Sequence, residues 1–138
     1  MTTDTTISFS WSDERHTLLL IKLQEGWTIA EYATFIEQMS TEIKTYSHNV
    51  DVIVELENIP SLLKGSAVSQ LQQLTRAIPD NVRTIVIVTH NPFVRTVNTI
   101  LFQIMPKARE SGALASSVEE ARAIIAERRV QRHDAQDG

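Results

Sequence analysis

The chain has no cysteine anywhere in its 138 residues. A disulfide framework, a thiolate zinc site and a cysteine nucleophile are thereby excluded. Positive charge is not in excess: the formal net charge is −4, which weighs against a nucleic-acid footprint. No apolar run approaches the roughly 18 residues that a membrane span requires. The opening Met1-Thr-Thr-Asp-Thr-Thr6 has neither the charged nor the apolar region of a signal peptide. These absences lead us to expect a cytoplasmic chain without membrane insertion. Internal repeats, low-complexity tracts and interdomain linkers are missing too, so one domain over residues 1–138 is expected.

What remains is an ordinary globular composition, 42% hydrophobic and 22% charged. A chain of this size buries about two-thirds of its unfolded surface, enough for a core without covalent staples. The pattern is clearest between Asp51 and Ile104. Asp51-Val-Ile-Val-Glu-Leu56 and Arg83-Thr-Ile-Val-Ile-Val-Thr89 are short runs rich in β-branched residues, as in strands buried on both faces. Between them Val68, Leu71, Leu74 and Ile78 fall at helical spacing, predicting a helix over 66–78. Strand, helix and strand in that order make a right-handed βαβ crossover with parallel strands. Ile85 and Ile87 on one side, and Val86 and Val88 on the other, are expected to enter two packed faces.

Before this unit, Ile7, Phe9 and Trp11 alternate with serines, and Thr17-Leu-Leu-Leu-Ile-Lys-Leu23 follows the polar turn Ser12–His16. Two strands so briefly joined form an antiparallel hairpin. Thr28 and Glu31 then spell a capping box, with Trp27 and Tyr32 placed as a hydrophobic staple. The helix they open carries Ile29, Ile36, Met39, Ile43 and Tyr46 on one stripe. After the Arg83 strand, Asn91 is suited to cap a helix that has Pro92 at its first position and ends before Pro106. A short strand is expected at Ala113–Ala115. A second capping box, Ser117 with Glu120, opens a last helix using Val118, Ala121, Ile124 and Ile125. The core is expected over 7–127, with residues 1–6 loose and the chain fraying into a polar tail at 128–138. The fold class is α/β, a mixed sheet of four to five strands packed by about four helices.

Chemistry-bearing residues are sparse. Four histidines are scattered without metal-ligand spacing, so no metal and no cofactor are implied. His90 stands out because it lies between a central strand and a helix N-terminus, where α/β proteins place ligands and where backbone donors hold anions. Arg95 lies one turn further on. Glu55 and Glu57 alternate with Leu56, an arrangement compatible with paired-carboxylate acid–base work. No partner base or nucleophile motif accompanies them, so solvation at a strand end is the plainer reading. Arg122, Arg128, Arg129 and Arg132, interspersed with Glu119, Glu120 and Glu127, read as a solvated helix face.

Over residues 7–127 the order of elements resembles the SpoIIAA-like fold of STAS domains and anti-sigma factor antagonists. Gly26-Trp-Thr-Ile-Ala-Glu-Tyr32, Asp51-Val-Ile-Val-Glu-Leu-Glu57, Arg83-Thr-Ile-Val-Ile-Val88 and Ser117-Val-Glu-Glu-Ala-Arg122 carry the likeness. It is similar above all to bacterial STAS/SEC14-type proteins. The resemblance implies a non-enzymatic regulatory module whose loop 57–66 and following helix meet a protein partner, such as a regulatory kinase or sigma-regulatory factor. In antagonists of that type an Asp-Ser pair receives the phosphate. The matching positions here are Leu63 and Lys64, with Ser61 and Ser66 flanking them, so the usual phospho-switch is not expected. Two other readings stand beside it: a carrier or sensor of a small or lipid-like apolar ligand near the Asn91 helix start, with His90 or Arg95 at its mouth, and a small hydrolase using Glu55 or Glu57. The residues singled out for a partner or ligand are thus Glu57, Ser61, Lys64, Ser66, His90, Asn91 and Arg95. Phe9 and Trp11 on the first strand, with Trp27 nearby, suggest either an edge covered by a second copy in a homodimer or side chains that complete the monomer's own core.

Overall fold

A computed structural model describes residues 6–57, 78–104 and 110–137. Its elements are β1 (Ile7–Trp11), β2 (Leu18–Leu23), α1 (Ile29–Ile43), β3 (Val50–Leu56), β4 (Val82–Val88), α2 (Pro92–Ile104), β5 (Gly112–Ala115) and α3 (Val118–Asp137). The strands form one sheet in the order β1-β2-β3-β4-β5. β1 and β2 pair antiparallel, and every later pair is parallel. The mixed sheet, its hairpin and its parallel layer are as expected from the sequence, β5 included. Three helices are present among the described residues. The helix expected over 66–78 lies outside them, except for its last position.

Local chemistry explains where the elements begin. In the hairpin turn, the Asp13 carboxylate accepts from the Thr17 N–H at 2.9 Å and the Thr17 hydroxyl at 2.5 Å. That clamp folds the chain tightly enough to place His16 at φ 57, a left-handed conformation uncommon outside glycine. At α1 the capping box is complete: the Glu31 N–H donates to the Thr28 hydroxyl, and the Thr28 N–H donates to the Glu31 carboxylate. The staple forms as well, with Trp27 and Tyr32 edge to face at 5.8 Å. At α3 the box is displaced by one residue, because the Glu120 carboxylate takes the N–H of Ser116 rather than that of Ser117.

Crossovers that all advance in one direction along a sheet put their helices on one face. Accordingly Met39 and Ile43 of α1 and Val94 of α2 share a cluster with Leu19, Ile21, Val52, Val54 and Leu56. The alternate residues of the strands, Leu18, Ile53, Val86 and Val88, pack with Ala121 and Ile125 of α3 on the opposite face. A bulge opposite Val50/Asp51 inserts Arg83 into β4. The extra residue reverses the alternation, so Val82 joins the α1 face while Thr84 turns toward α3.

Asp51 lies on the α3 face of the central strand and is 1% exposed. An ionised carboxylate there is stable only when paired and hydrogen-bonded. Two arginines of α3 supply that pairing. Arg132 grips Asp51 with both Nη atoms, at 3.0 and 3.2 Å, and Arg129 Nε lies 2.6 Å from Oδ2. Arg129 also donates to the Thr17 carbonyl at 2.8 Å, and Arg132 to the Thr84 hydroxyl at 3.4 Å. Two sequence expectations are corrected here. The polar tail expected from residue 128 is helix as far as Asp137, because its arginines find a buried partner instead of water. Arg129 and Arg132 therefore do not belong to a solvated face. Trp27 is also corrected: it is 6% exposed and part of the core, so it does not contribute to an exposed aromatic edge. Ile85 and Ile87 are only half-buried, whereas Val86 is fully enclosed.

Two stability measurements follow. Converting both Arg129 and Arg132 to Met strands the buried carboxylate and is expected to cost about 3–5 kcal/mol in urea melts. Adding Asp51→Leu to that variant should recover most of the loss, since an apolar replacement needs no counter-charge. A loss below about 1 kcal/mol in the double variant would mean that Asp51 is solvated. Separately, Ile53→Ala on the same face is expected to lower stability by about 2–5 kcal/mol.

Candidate functional site

The carboxyl ends of β3, β4 and β5 bring together residues that are far apart in sequence. Glu57, just past β3, turns its carboxylate onto the backbone of the β4–α2 turn. Its two oxygens accept from the His90 N–H at 2.9 and 3.1 Å, and the Thr89 hydroxyl approaches Oε2 at 3.4 Å. Asn91 closes the ring by donating its side-chain amide to the Glu57 carbonyl at 2.7 Å. The same side chain caps α2, its Oδ1 accepting the Phe93 N–H at 2.9 Å. Thr89 is fully buried, and its N–H reaches the Ala115 carbonyl of β5 at 3.1 Å. Arg95, one turn into α2, directs Nη1 to the carbonyls of Thr89 and Ala115 at 3.5 and 3.4 Å.

Of the residues singled out from sequence, Glu57, His90, Asn91 and Arg95 are thus gathered at one end of the sheet. Ser61, Lys64 and Ser66 lie outside the described residues. The roles differ from those read off the sequence. The anion expected at the α2 N-terminus is the chain's own Glu57 carboxylate, in the position a helix dipole favours. His90 contributes its backbone N–H, and its side chain is exposed. Arg95 ties the ends of two strands together. Glu55, half-buried, falls by register on the α3 face and is not partnered with Glu57 in this network. Beside it all, Phe93 stands 54% exposed in the first turn of α2.

A second gathering, at the amino ends of the parallel strands, was not visible in the sequence. His16 stacks on Trp11 with ring centroids 4.4 Å apart, and His48 stacks on Tyr46 at 5.0 Å. His16 Nδ1 lies 3.0 Å from the Tyr46 hydroxyl, which itself donates to the Glu42 carboxylate. The hydroxyl oxygen must then accept from His16, so Nδ1 carries the ring proton. His48 Nε2 meets the His16 carbonyl at 3.0 Å, and the Asn81 amide joins the His48 carbonyl to that of Ile43. Each histidine sits in a turn, as its sequence neighbours predict. Their proximity depends on β2 and β3 being adjacent, a fact that no spacing of His16 and His48 encodes. Among the described residues no group of three or more His, Cys, Asp or Glu side chains is arranged to hold a metal ion.

Both tyrosines of the chain are held protonated well past their ordinary range. Burial pushes Tyr32 up to about 12. Burial also raises Tyr46 to about 12, helped by its bond to Glu42 and by that group's negative charge. The folded chain is therefore expected to show almost no tyrosinate absorbance at pH 10, where an unfolded tyrosine is about half ionised. Because the folded values lie above the unfolded one, the stabilisation is fully present below pH 10 and is lost as pH rises toward about 12. The melting temperature should fall across that window, less steeply in Tyr46→Phe; a tyrosinate midpoint near 10 in the folded chain would overturn this. At the other end, Asn91→Ala removes a helix cap and is expected to cost about 1 kcal/mol in denaturant melts. No family model matches the chain, and neither the curated proteins nor the solved structures provide a match.

Proposed function

We propose that the chain is a non-enzymatic, SpoIIAA-like regulatory module that binds a protein partner through the carboxyl end of its parallel strands. Phe93 carries this reading. It is exposed at the start of α2, flanked by the exposed His90 side chain, on a ledge whose polar groups are satisfied from within. Glu57, Thr89 and Asn91 are engaged in holding that ledge, so their groups are committed to shape. A rigid base with one protruding aromatic is how interface anchors are built, since little conformational entropy is lost when the anchor docks. The element order that resembles STAS-type antagonists supports the same class of role. A regulatory kinase or sigma-regulatory factor is the kind of partner that resemblance suggests.

The test uses a photoreactive phenylalanine analogue at position 93 in the full chain, in cells, with the analogue at Val130 as control. Val130 is also an exposed apolar residue, on α3. A discrete adduct expected at 93 and absent at 130 supports the docking surface. Adducts that are identical at both positions, or none, sink it. Leu63-Lys64 in place of an Asp-Ser pair gives a further expectation. Intact-mass spectrometry of the chain purified from its source should show no stoichiometric phosphate, and substantial phosphate on Ser61 or Ser66 would restore the phospho-switch.

A further inference from the structure

Among the described residues nothing pairs with the outer edge of β1, and we infer that a second copy of this chain adds there, antiparallel, with Phe9 facing Phe9 across a two-fold axis. This surface is separate from the Phe93 ledge, and the inference does not depend on that reading.

Hydrogen-bond parity comes first. In an antiparallel pair, alternate residues exchange both backbone bonds with the partner strand, and the residues between them point the other way. The Ser12 N–H donates to the Leu18 carbonyl, and the Gln24 N–H to the Thr6 carbonyl, at the two ends of the β1–β2 ladder. With Ile7 opposite Leu23 and Trp11 opposite Leu19, it follows that Ser8 and Ser10 bond inward to β2. The N–H and C=O groups of Ile7, Phe9 and Trp11 point outward along the edge. A two-fold axis at Phe9 sets Phe9 against Phe9 and Ile7 against Trp11 in both directions. Every outward group of the strand then meets its complement, and no other centre pairs all five residues.

Edges are ordinarily blunted by lysine, proline or a bulge. Ile7-Ser-Phe-Ser-Trp11 contains none of these among its residues, and its ladder to β2 is unbroken. The opposite edge differs. β5 is four residues long, and its terminal carbonyls, Gly112 and Ala115, are taken up by Arg128 and Arg95. Two copies each carrying −4 repel, and a shared surface free of charge along its length is where they can approach. The apolar component is Phe9, 49% exposed and tilted against Phe35 of α1 at 5.4 Å. Facing residues in such a pair have Cα atoms about 5.5 Å apart. The two Phe9 rings, each backed by its own Phe35, would therefore close into one strip of four rings across the joint. Trp11 is stacked on His16 within its own chain, so Phe9 rather than Trp11 is the residue to vary.

The full chain is analysed by light scattering behind a sizing column at micromolar concentration, as wild type, Phe9→Lys, Phe9→Glu and an equimolar mixture of the two variants. Wild type should have the mass of two chains. Each variant alone should have the mass of one, because like charges directly opposite one another are unfavourable. The mixture should return to two, since Lys then faces Glu. Amide exchange on the wild-type protein gives a reading that needs no variant. The Ile7, Phe9 and Trp11 amides should be protected alongside those of Ser8 and Ser10, and should lose that protection on dilution. A single-chain mass for the wild type overturns the inference, including the case in which another protein's strand covers the edge. So does a two-chain mass that persists in both variants, or a dimer whose Phe9 amide exchanges freely.

Discussion

A carboxylate on the middle strand of a five-stranded sheet, closed off from water, must bring its own counter-charges or the sheet cannot be covered there. Asp51 sets that constraint. Arg129 and Arg132 meet it, and in doing so they fix how far α3 runs and how it lies on the sheet. Ala121, Ile125, Arg129 and Arg132 are successive members of one helical stripe. The stripe is apolar where it crosses Val88 and Ala115 and cationic where it reaches Asp51. The loss of apolar periodicity after Glu127 is thus a change of buried partner, not a loss of burial. Such an arrangement adds little net stability over an apolar one, yet breaking half of it is costly, so it favours a single placement of the helix over slid alternatives.

The two ends of the parallel layer solve different problems. At the carboxyl end Glu57 takes the His90 N–H, and Asn91 and Arg95 lock strands to helix. Among the described residues, Phe93 and His90 are exposed beside that network. At the amino end, aromatic rings pack beside the hydrogen-bonded carboxylates of Asp13 and Glu42. Trp11 stacks on His16 and Tyr46 on His48, the His16 and Tyr46 rings lie tilted to one another, and the Tyr46 hydroxyl donates a hydrogen bond to Glu42. That packing depends on the left-handed backbone at His16, which in turn depends on Asp13 folding the hairpin turn.

Much of the fold was legible because its signals are local. Thr28 with Glu31, Asn91 before Pro92, and the β-branched runs at 51–56 and 83–88 announce their elements within a few residues. The alternation in β1 and β2 gave the hairpin, and the helix-separated runs gave the parallel pairing. The site was legible only as an address. Sequence order places Glu57 and His90 at strand ends, with backbone donors suited to an anion, but not that the anion those donors hold is Glu57 itself. Contacts between distant residues left no trace. Asp51 resembles any acidic residue at a strand start, and Arg132 any cation near a helix end, until the sheet order brings them together. Trp27, Phe9 and Trp11 likewise look alike in a list of aromatics. Burial separates them, with Trp27 in the core and Phe9 in solvent.

The first face gains α1 before β3 is made, whereas the second face waits for α3. Asp51 is separated from Arg129 and Arg132 by 78 and 81 residues. On a ribosome adding about 5–20 residues each second, that separation is roughly 4–16 s of synthesis. During that interval the α3 face lacks the helix that covers it in the folded chain, and burial of the unpaired Asp51 carboxylate under an apolar segment is unfavourable. A buried carboxylate in that position favours α3, which carries its counter-charges, over any purely apolar cover.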